Sequence, residues 1–413
     1  QDAARPSAVG PGQRGGNDQM KRVAVLGGGS AGALAAEKLA AAGLETILLD
    51  SKLAWEKPCG GGLTYKAYAR YPFLMENDAP KRLVTETVLA SPRVGAAKLT
   101  LRQPLVIYSR YDLNRMLLER AERAGARIEK AWVNEAIYDG RRWRLHTSAG
   151  QLEADFCIAA TGARNRLRNL GTEWTPADTM FALGYLVPAE QAHIDIQFLP
   201  QLEGYIWVFP RCGHLSVGIC GKGVPAPALR ARLEAFMQER DLSWKDAEFY
   251  AHPLPSLEMP AWRNNRVAGQ GWLAVGDAGG LVDPVTGEGL YYALRSADLA
   301  SQVVLSEAHT PTEKPRAYRA LLMRDFIMDL AFGAGLAKRL FLGKLLFKSV
   351  PERMIQLVRR SERFSTLMQD LFAGTQNYLT LKSRLLRNLH GTLLETVINF
   401  LLSRTVVPNE SPL

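Results

Sequence analysis

A run of apolar, mostly β-branched residues, Val23 to Leu26, passes directly into Gly27-Gly28-Gly29-Ser30-Ala31-Gly32 and then into an Ala/Leu-rich stretch ending at Gly43. This order of buried parallel strand, glycine turn and helix (Gly32 to Ala42) constrains the fold more than any other feature. Gly27 permits the tight turn, Gly29 lets backbone approach a pyrophosphate, and Gly32 lets the helix pack closely on its strand. The unpaired N–H groups at the helix start, around Ser30 and Ala31, face where the phosphates would lie. A second strand, Glu45 to Leu49, ends at Asp50-Ser51, where an acidic side chain accepts from ribose hydroxyls and favours a 2′-OH over a 2′-phosphate. The expected fold class is therefore α/β, with a Rossmann-like dinucleotide-binding domain.

The chain has 413 residues, 47% of them hydrophobic, enough for two intimately joined domains and a tail. Cys59, Cys157, Cys212 and Cys220 have neither the spacing of a zinc site nor that of a disulfide framework, so reduced cytoplasmic thiols and no metal are expected. The net charge of +10 is concentrated late: Pro311 to Leu413 carries 16 Lys+Arg against 8 Asp+Glu. That excess reads as attraction to anionic lipid, as recognition of a phosphorylated substrate, or as the solvated face of a helical bundle. Nucleic acid is not an expected partner. Residues 1–19 are rich in Gly, Pro and Gln and precede Met20, and they read as a disordered leader. No apolar stretch reaches the roughly 18 residues that span a bilayer. Neither a signal peptide nor a transmembrane helix is expected, and membrane contact would be peripheral.

Residues 20–170 read as the first part of the nucleotide-binding domain, with 60–105 contributing to the substrate side. Within it, Leu113 to Ala124 is a helix with Asp112 as its N-cap. Strands near Arg127–Trp132, Ala136–Tyr138, Trp143–Thr147 and Phe156–Ala160 resemble a sheet returning to the nucleotide-binding layer. Residues 171–265 read as an antiparallel-sheet substrate domain, with a period of two and turn signals from Phe181 to Cys220. Residues 266–310 return to the nucleotide-binding domain through the strand Trp272 to Val275. Residues 311–413 read as helical, with breaks near Gly333/Gly335, Pro351 and Gly374, and with apolar residues almost all around Leu336 to Val350.

Gly27-x-Gly29-x-x-Gly32 at one end and Ala274-Val275-Gly276-Asp277, continuing to Asp283-Pro284-Val285-Thr286-Gly287-Glu288-Gly289, at the other resemble single-flavin enzymes of the p-hydroxybenzoate hydroxylase fold. Within them, Lys57-Pro58-Cys59-Gly60-Gly61-Gly62 and Tyr205-x-Trp207-x-Phe209-Pro210 look like the geranylgeranyl reductase family. The resemblance runs from about Lys21 to Ala300. It implies that FAD is the cofactor, with Asp277 (after Gly276) on its ribityl-pyrophosphate part and Arg110 on the pyrophosphate. It also implies that Pro284, Gly287, Glu288 and Gly289 lie at the flavin edge where charge develops on reduction. Without the resemblance, Arg110 reads as a surface arginine near a helix start.

Tyr205, Trp207 and Phe209 project from one face of a strand, either as an aromatic core or, as the family resemblance implies, as the lining of a long apolar tunnel. Cys59, in its glycine-flanked loop, reads as a proton donor or substrate contact beside the flavin, or as a small buried filler. Cys59 and Tyr205 stand as candidate catalytic residues, and Trp207, Phe209, Gly60 and Gly61 as candidate substrate-binding ones. The implied reaction is hydride transfer from reduced FAD to an isoprenoid C=C bond, with protonation of the neighbouring carbon. The alternative is an FAD-dependent monooxygenase or halogenase acting on an aromatic or natural-product substrate. Thr161-Gly162-Ala163-Arg164 lacks the acidic member of the hydroxylases' Asp-Gly turn, which disfavours that alternative. A second nicotinamide domain is not visible, so NAD(P)H visiting transiently and a ferredoxin-like carrier both remain as electron donors.

Overall fold

In the computed structural model, which describes residues 20–167, 169–345, 348–381 and 383–385, the strand Arg22–Leu26 sits inside a six-stranded sheet. It pairs in parallel with Glu45–Asp50 on one side and Phe156–Ala159 on the other. Arg127–Lys130 and Trp272–Ala274 extend the parallel array, and the short Ala268–Gly269 closes one edge antiparallel. Val23, Ala24 and Val25 have no exposure, as strands covered on both faces require. One face carries the helices Ser30–Ala41, Arg110–Arg123 and Leu290–Leu305. The expected leader, residues 1–19, and the end of the expected helical region, 386–413, lie outside the described residues.

An eight-stranded sheet forms the second layer. Its order runs Glu248–Pro255, Thr179–Val187, Leu215–Lys222, Glu203–Pro210, Ile194–Gln197, Lys81–Ser91, Gly95–Tyr108 and Gly62–Leu63. All neighbours are antiparallel except Ile194–Gln197 with Lys81–Ser91. Strand alternation places Ile206 and Val208 against the helix Ala226–Glu239, through Leu229 and Leu233. Tyr205, Trp207 and Phe209 occupy the opposite face. That face is roofed by the C-terminal helices Val350–Arg360 and Glu362–Phe372, which contribute Ile355, Val358, Phe364, Leu367 and Met368.

Several local expectations are corrected. The helix expected from Leu113 begins at Arg110, capped by Ser109, whose hydroxyl accepts from the Asp112 N–H at 3.0 Å. Asp112 lies in the first turn, where its charge favours the helix N-terminus. Of the strands expected to return to the nucleotide layer, only Arg127–Lys130 and Phe156–Ala159 do so. Val133–Tyr138, Trp143–Thr147 and Gly150–Ala154 form a separate antiparallel meander. Gly333 and Gly335 do not break their helix, which runs from Met328 to Leu342. It stops at Gly343, so Leu336 to Val350 is not one helix; Pro351 opens the next helix, at its N-terminus where no N–H is needed. Gly374, at φ +74°, follows the helix Glu362–Phe372, as expected of a break there. No described helix is long and apolar enough to cross a membrane.

Tyr318, in the helix Lys314–Leu322, has no exposure, and its hydroxyl donates to the Ala274 carbonyl at 2.9 Å at the end of the parallel sheet. Tyr318→Phe is expected to lower stability by about 1–3 kcal/mol, measured as a shift in urea unfolding at unchanged slope.

Candidate functional site

The glycine turn is built as its spacing implies. Gly27 adopts φ +117° and stands against the Ala160 carbonyl, and Gly32 stands against the Gly27 carbonyl, so neither tolerates a side chain. A Cβ on Gly29, by contrast, would meet nothing within 4 Å. That open side faces a groove of about 360 Å³ lined by Gly27, Gly29, Asp50, Ser51, Thr161 and Gly162, among others. Asp50 accepts from the Gly28 N–H at 2.7 Å and from the Lys52 and Leu53 N–H groups, so its carboxylate holds the turn to the second strand while lining the groove.

A narrower cleft of about 90 Å³ continues from it, sharing Gly29, Lys57, Ala160, Gly162 and His252. It adds Ser30, Ala31, Cys59, Arg110, Gly276, Asp277, Gly287 and Gly289. Residues far apart in the chain, from Gly29 to Gly289, thus meet in one continuous groove. Gly32, Pro284 and Glu288 do not line either part. Gly32 acts through packing, and Glu288 through a contact with Thr64 described below.

Arg110 is buried, and neither its Nε nor the Thr161 hydroxyl on the groove wall finds a partner among the described residues. Buried donors of this kind are rare and costly unless a ligand satisfies them. Together with the open Gly29 and the N-terminus of the helix Ser30–Ala41, they fit the pyrophosphate of an extended dinucleotide such as FAD. Asp277 pairs with Lys57 at 3.1 Å. Burial raises the Asp277 carboxyl, but Lys57, with His252 and Arg110, outweighs it and holds the group below the ordinary range. His252 is pushed down to about 4 by burial and by Lys57, and is therefore neutral at physiological pH.

The Cys59 loop is clamped from the large sheet. Arg211, whose side chain has no exposure, pairs with Glu56 and donates to the Cys59 carbonyl. The Ser216 hydroxyl donates to the same carbonyl at 3.0 Å, and the Trp207 indole donates to Ser216 at 3.3 Å. The Cys59 thiol accepts from the Gly61 N–H at 3.3 Å. Gly60 lies flat against the Phe209 ring, and Gly61, at φ +85°, against the Tyr108 carbonyl. Gly60 and Gly61 therefore let the loop approach the aromatic strand. Trp207 is buried against Gly218, while Tyr205 and Phe209 keep partial exposure.

Tyr205 reaches the other wall, donating to the Thr286 carbonyl. Burial, with nearby Cys220, Asp283, Cys59 and Glu288, keeps its hydroxyl well above the ordinary value and so protonated. Glu288 accepts from the Thr64 hydroxyl at 3.2 Å. Burial and the neighbouring Asp283 push its carboxyl up to about 7, against the opposing pull of Lys66. Arg211, Glu56, Ser216, Thr64 and His252 were not singled out from the sequence. Only Arg211, following Pro210 at a strand end, carried even a positional signal.

A folded-state value above the ordinary 4.5 means that the native protein holds a proton which the unfolded chain has released. Stability from Glu288 is therefore full below about 4.5 and is lost as pH rises through about 7. FAD-free Glu288→Gln is expected to lack this fall, so its melting temperature drops less than the parent's between pH 5 and about pH 8 by thermal scanning.

No family model matches the chain. It is 31% identical over 325 residues to the chloroplastic geranylgeranyl diphosphate reductase of Arabidopsis thaliana, covering 70% of this chain and 66% of that protein. The chain thus spans just under two thirds of that plant relative. The digeranylgeranylglycerophospholipid reductase 2 of Methanothermobacter thermautotrophicus is 29% identical over 312 residues, 68% of this chain and 77% of that protein. A solved structure of a geranylgeranyl bacteriochlorophyll reductase-like protein from Thermoplasma acidophilum superimposes with a TM-score of 0.73 at 21% identity. It covers 89% of this chain and 99% of that one.

Proposed function

We propose that the chain is an FAD-dependent oxidoreductase of the geranylgeranyl reductase type, as its likeness to the plant and archaeal reductases supports, and that it saturates C=C bonds of an isoprenoid chain carried on a lipid, quinone or diphosphate. One observation carries the reading: Cys59, Gly29, Asp277, Gly287 and Gly289 line a single narrow cleft, and Tyr205 of the strand Glu203–Pro210 donates to the Thr286 carbonyl next to it. FAD, when bound and reduced, supplies a hydride there. Gly29, Ser30, Ala31 and Arg110 would hold its pyrophosphate, Asp50 and Ser51 its adenosine ribose, and Asp277 its ribityl part. Electrons would come from NAD(P)H or from a ferredoxin-like carrier.

The chain's own residues supply the rest. An isolated alkene accepts hydride poorly, so the neighbouring carbon needs an acid close at hand and water must be kept out. Cys59, at the end of its clamped loop, lines the cleft as the candidate acid, and Tyr205, its hydroxyl kept protonated, stands beside it at the Thr286 carbonyl. The prenyl chain would lie between the sheet's aromatic face and the roofing helices, where Phe198, Tyr205, Phe209 and Leu254 keep some surface beside fully buried neighbours. Burying each methylene contributes about 0.8 kcal/mol, so a long chain needs few polar contacts. The basic helices then favour an anionic head group or an anionic membrane surface.

Anaerobic incubation of dithionite-reduced, FAD-loaded protein with prenyl diphosphates, prenylated lipids and prenylquinones is expected to yield products heavier by two hydrogens in mass spectra. Products gaining one oxygen in air, with no hydrogenated species, would point instead to a monooxygenase. Cys59→Ala is expected to lower single-turnover reduction by about 10²–10⁴-fold while retaining FAD, read by stopped-flow absorbance.

A further inference from the structure

The turn Asp283–Gly289 is organised around one buried carboxylate. Asp283 accepts from the N–H groups of Val285 at 2.8 Å and Thr286 at 3.2 Å, its carbonyl accepts from Gly287, and its own N–H donates to the Glu288 carbonyl. A further donor comes from 95 residues away. The Tyr378 hydroxyl lies 2.9 and 2.8 Å from the two carboxylate oxygens, and both residues are nearly fully buried.

Tyr378 is delivered by a strap that leaves the helix Glu362–Phe372 and crosses the site. The Ala373 carbonyl accepts from the Lys66 N–H at 3.0 Å. Gly374, at φ +74°, passes so close that a Cβ added to it would stand 3.1 Å from the hydroxyl of Thr64, the residue that donates to Glu288. Beyond it, the Leu379 N–H donates to Asp329 at 2.9 Å. The tyrosine ring fills a slot left by Gly333, where an added Cβ would come within 2.7 Å of it. The strap therefore reaches the turn twice, through Thr64 at Glu288 and directly at Asp283.

We infer that Tyr378 is a positioning residue for the cofactor-facing turn, so that docking of the strap Ala373–Leu379 and setting of the Gly287–Gly289 backbone are one event. A buried carboxylate needs its donors, and without the hydroxyl Asp283 keeps only those of its own turn, from Val285 and Thr286. Its grip on Val285 and Thr286 then changes, and with it the aim of the backbone that lines the cleft. That this backbone meets a flavin rests on the function proposed above; the coupling of strap to turn does not.

The test compares the full-length protein, with and without FAD, to Tyr378→Phe, which keeps the ring in its slot and removes only the hydroxyl. Hydrogen exchange at Val285, Thr286 and Gly287 is expected to speed by about tenfold or more, while the strand Arg22–Leu26 is unchanged. Gly333→Ala, which crowds the ring from another helix, is expected to give the same local signature. In the FAD-loaded variants the visible absorption band and midpoint potential should shift, and kcat should fall with KM held. Unchanged exchange at the turn in both variants, or a uniform rise across the whole chain, would overturn the inference. Faster exchange confined to the turn with no flavin response would uphold the coupling and count against the flavin assignment alone.

Discussion

The buried ion pair between Arg211 and Glu56 joins the two layers on which the site depends. Arg211 follows directly on a strand of the large sheet, and Glu56 lies in the loop that leaves the nucleotide-binding half. Glu56 also accepts from the N–H groups of Arg110 and Tyr111, so the same carboxylate caps the helix Arg110–Arg123. Burial raises its carboxyl, but Arg211 and those two N–H groups hold it below the ordinary range. A buried pair is stable only when its remaining donors and acceptors are met. Here they are met by the carbonyls of Cys59 and Gly60, so the demand for satisfaction itself fixes the Cys59 loop.

Along the groove the charge is divided. At the phosphate end Asp277, paired with Lys57 and near Arg110, is held ionised. At the far end burial wins: Glu288 holds its proton up to about 7, and Tyr205 remains a neutral hydroxyl. His252, neutral from about 4 upward, lies with Lys57 and Asp277 at the phosphate end. Such a gradient places fixed charge where the cofactor is held and protonated groups where an apolar substrate would be reduced.

Much of the nucleotide-binding layer was legible because its signals are local. Gly27, Gly29 and Gly32 encode backbone conformation and close approach, which depend on a few neighbouring residues. Alternation in Tyr205-x-Trp207-x-Phe209 likewise gave the shared face correctly, since side-chain direction in a strand follows from sequence parity. The meander Val133–Ala154 stands apart from the main sheet, which its sequence does not reveal because short strands do not say which partner they choose. Gly333 suggests a break because glycine weakens helices; its neighbour Tyr378, far along the chain, gives it a packing reason instead.

The sequence by itself determined that a dinucleotide cradle opens the chain, that a second glycine-rich turn accompanies it, and that a thiol and an aromatic strand face are available. Tertiary structure alone decided that these meet. Arg211 reaching Glu56, Thr64 reaching Glu288 and Tyr378 reaching Asp283 are contacts across 95 to 224 positions. They are made by buried polar groups that must find partners wherever the chain's packing brings them, and no local pattern records that requirement.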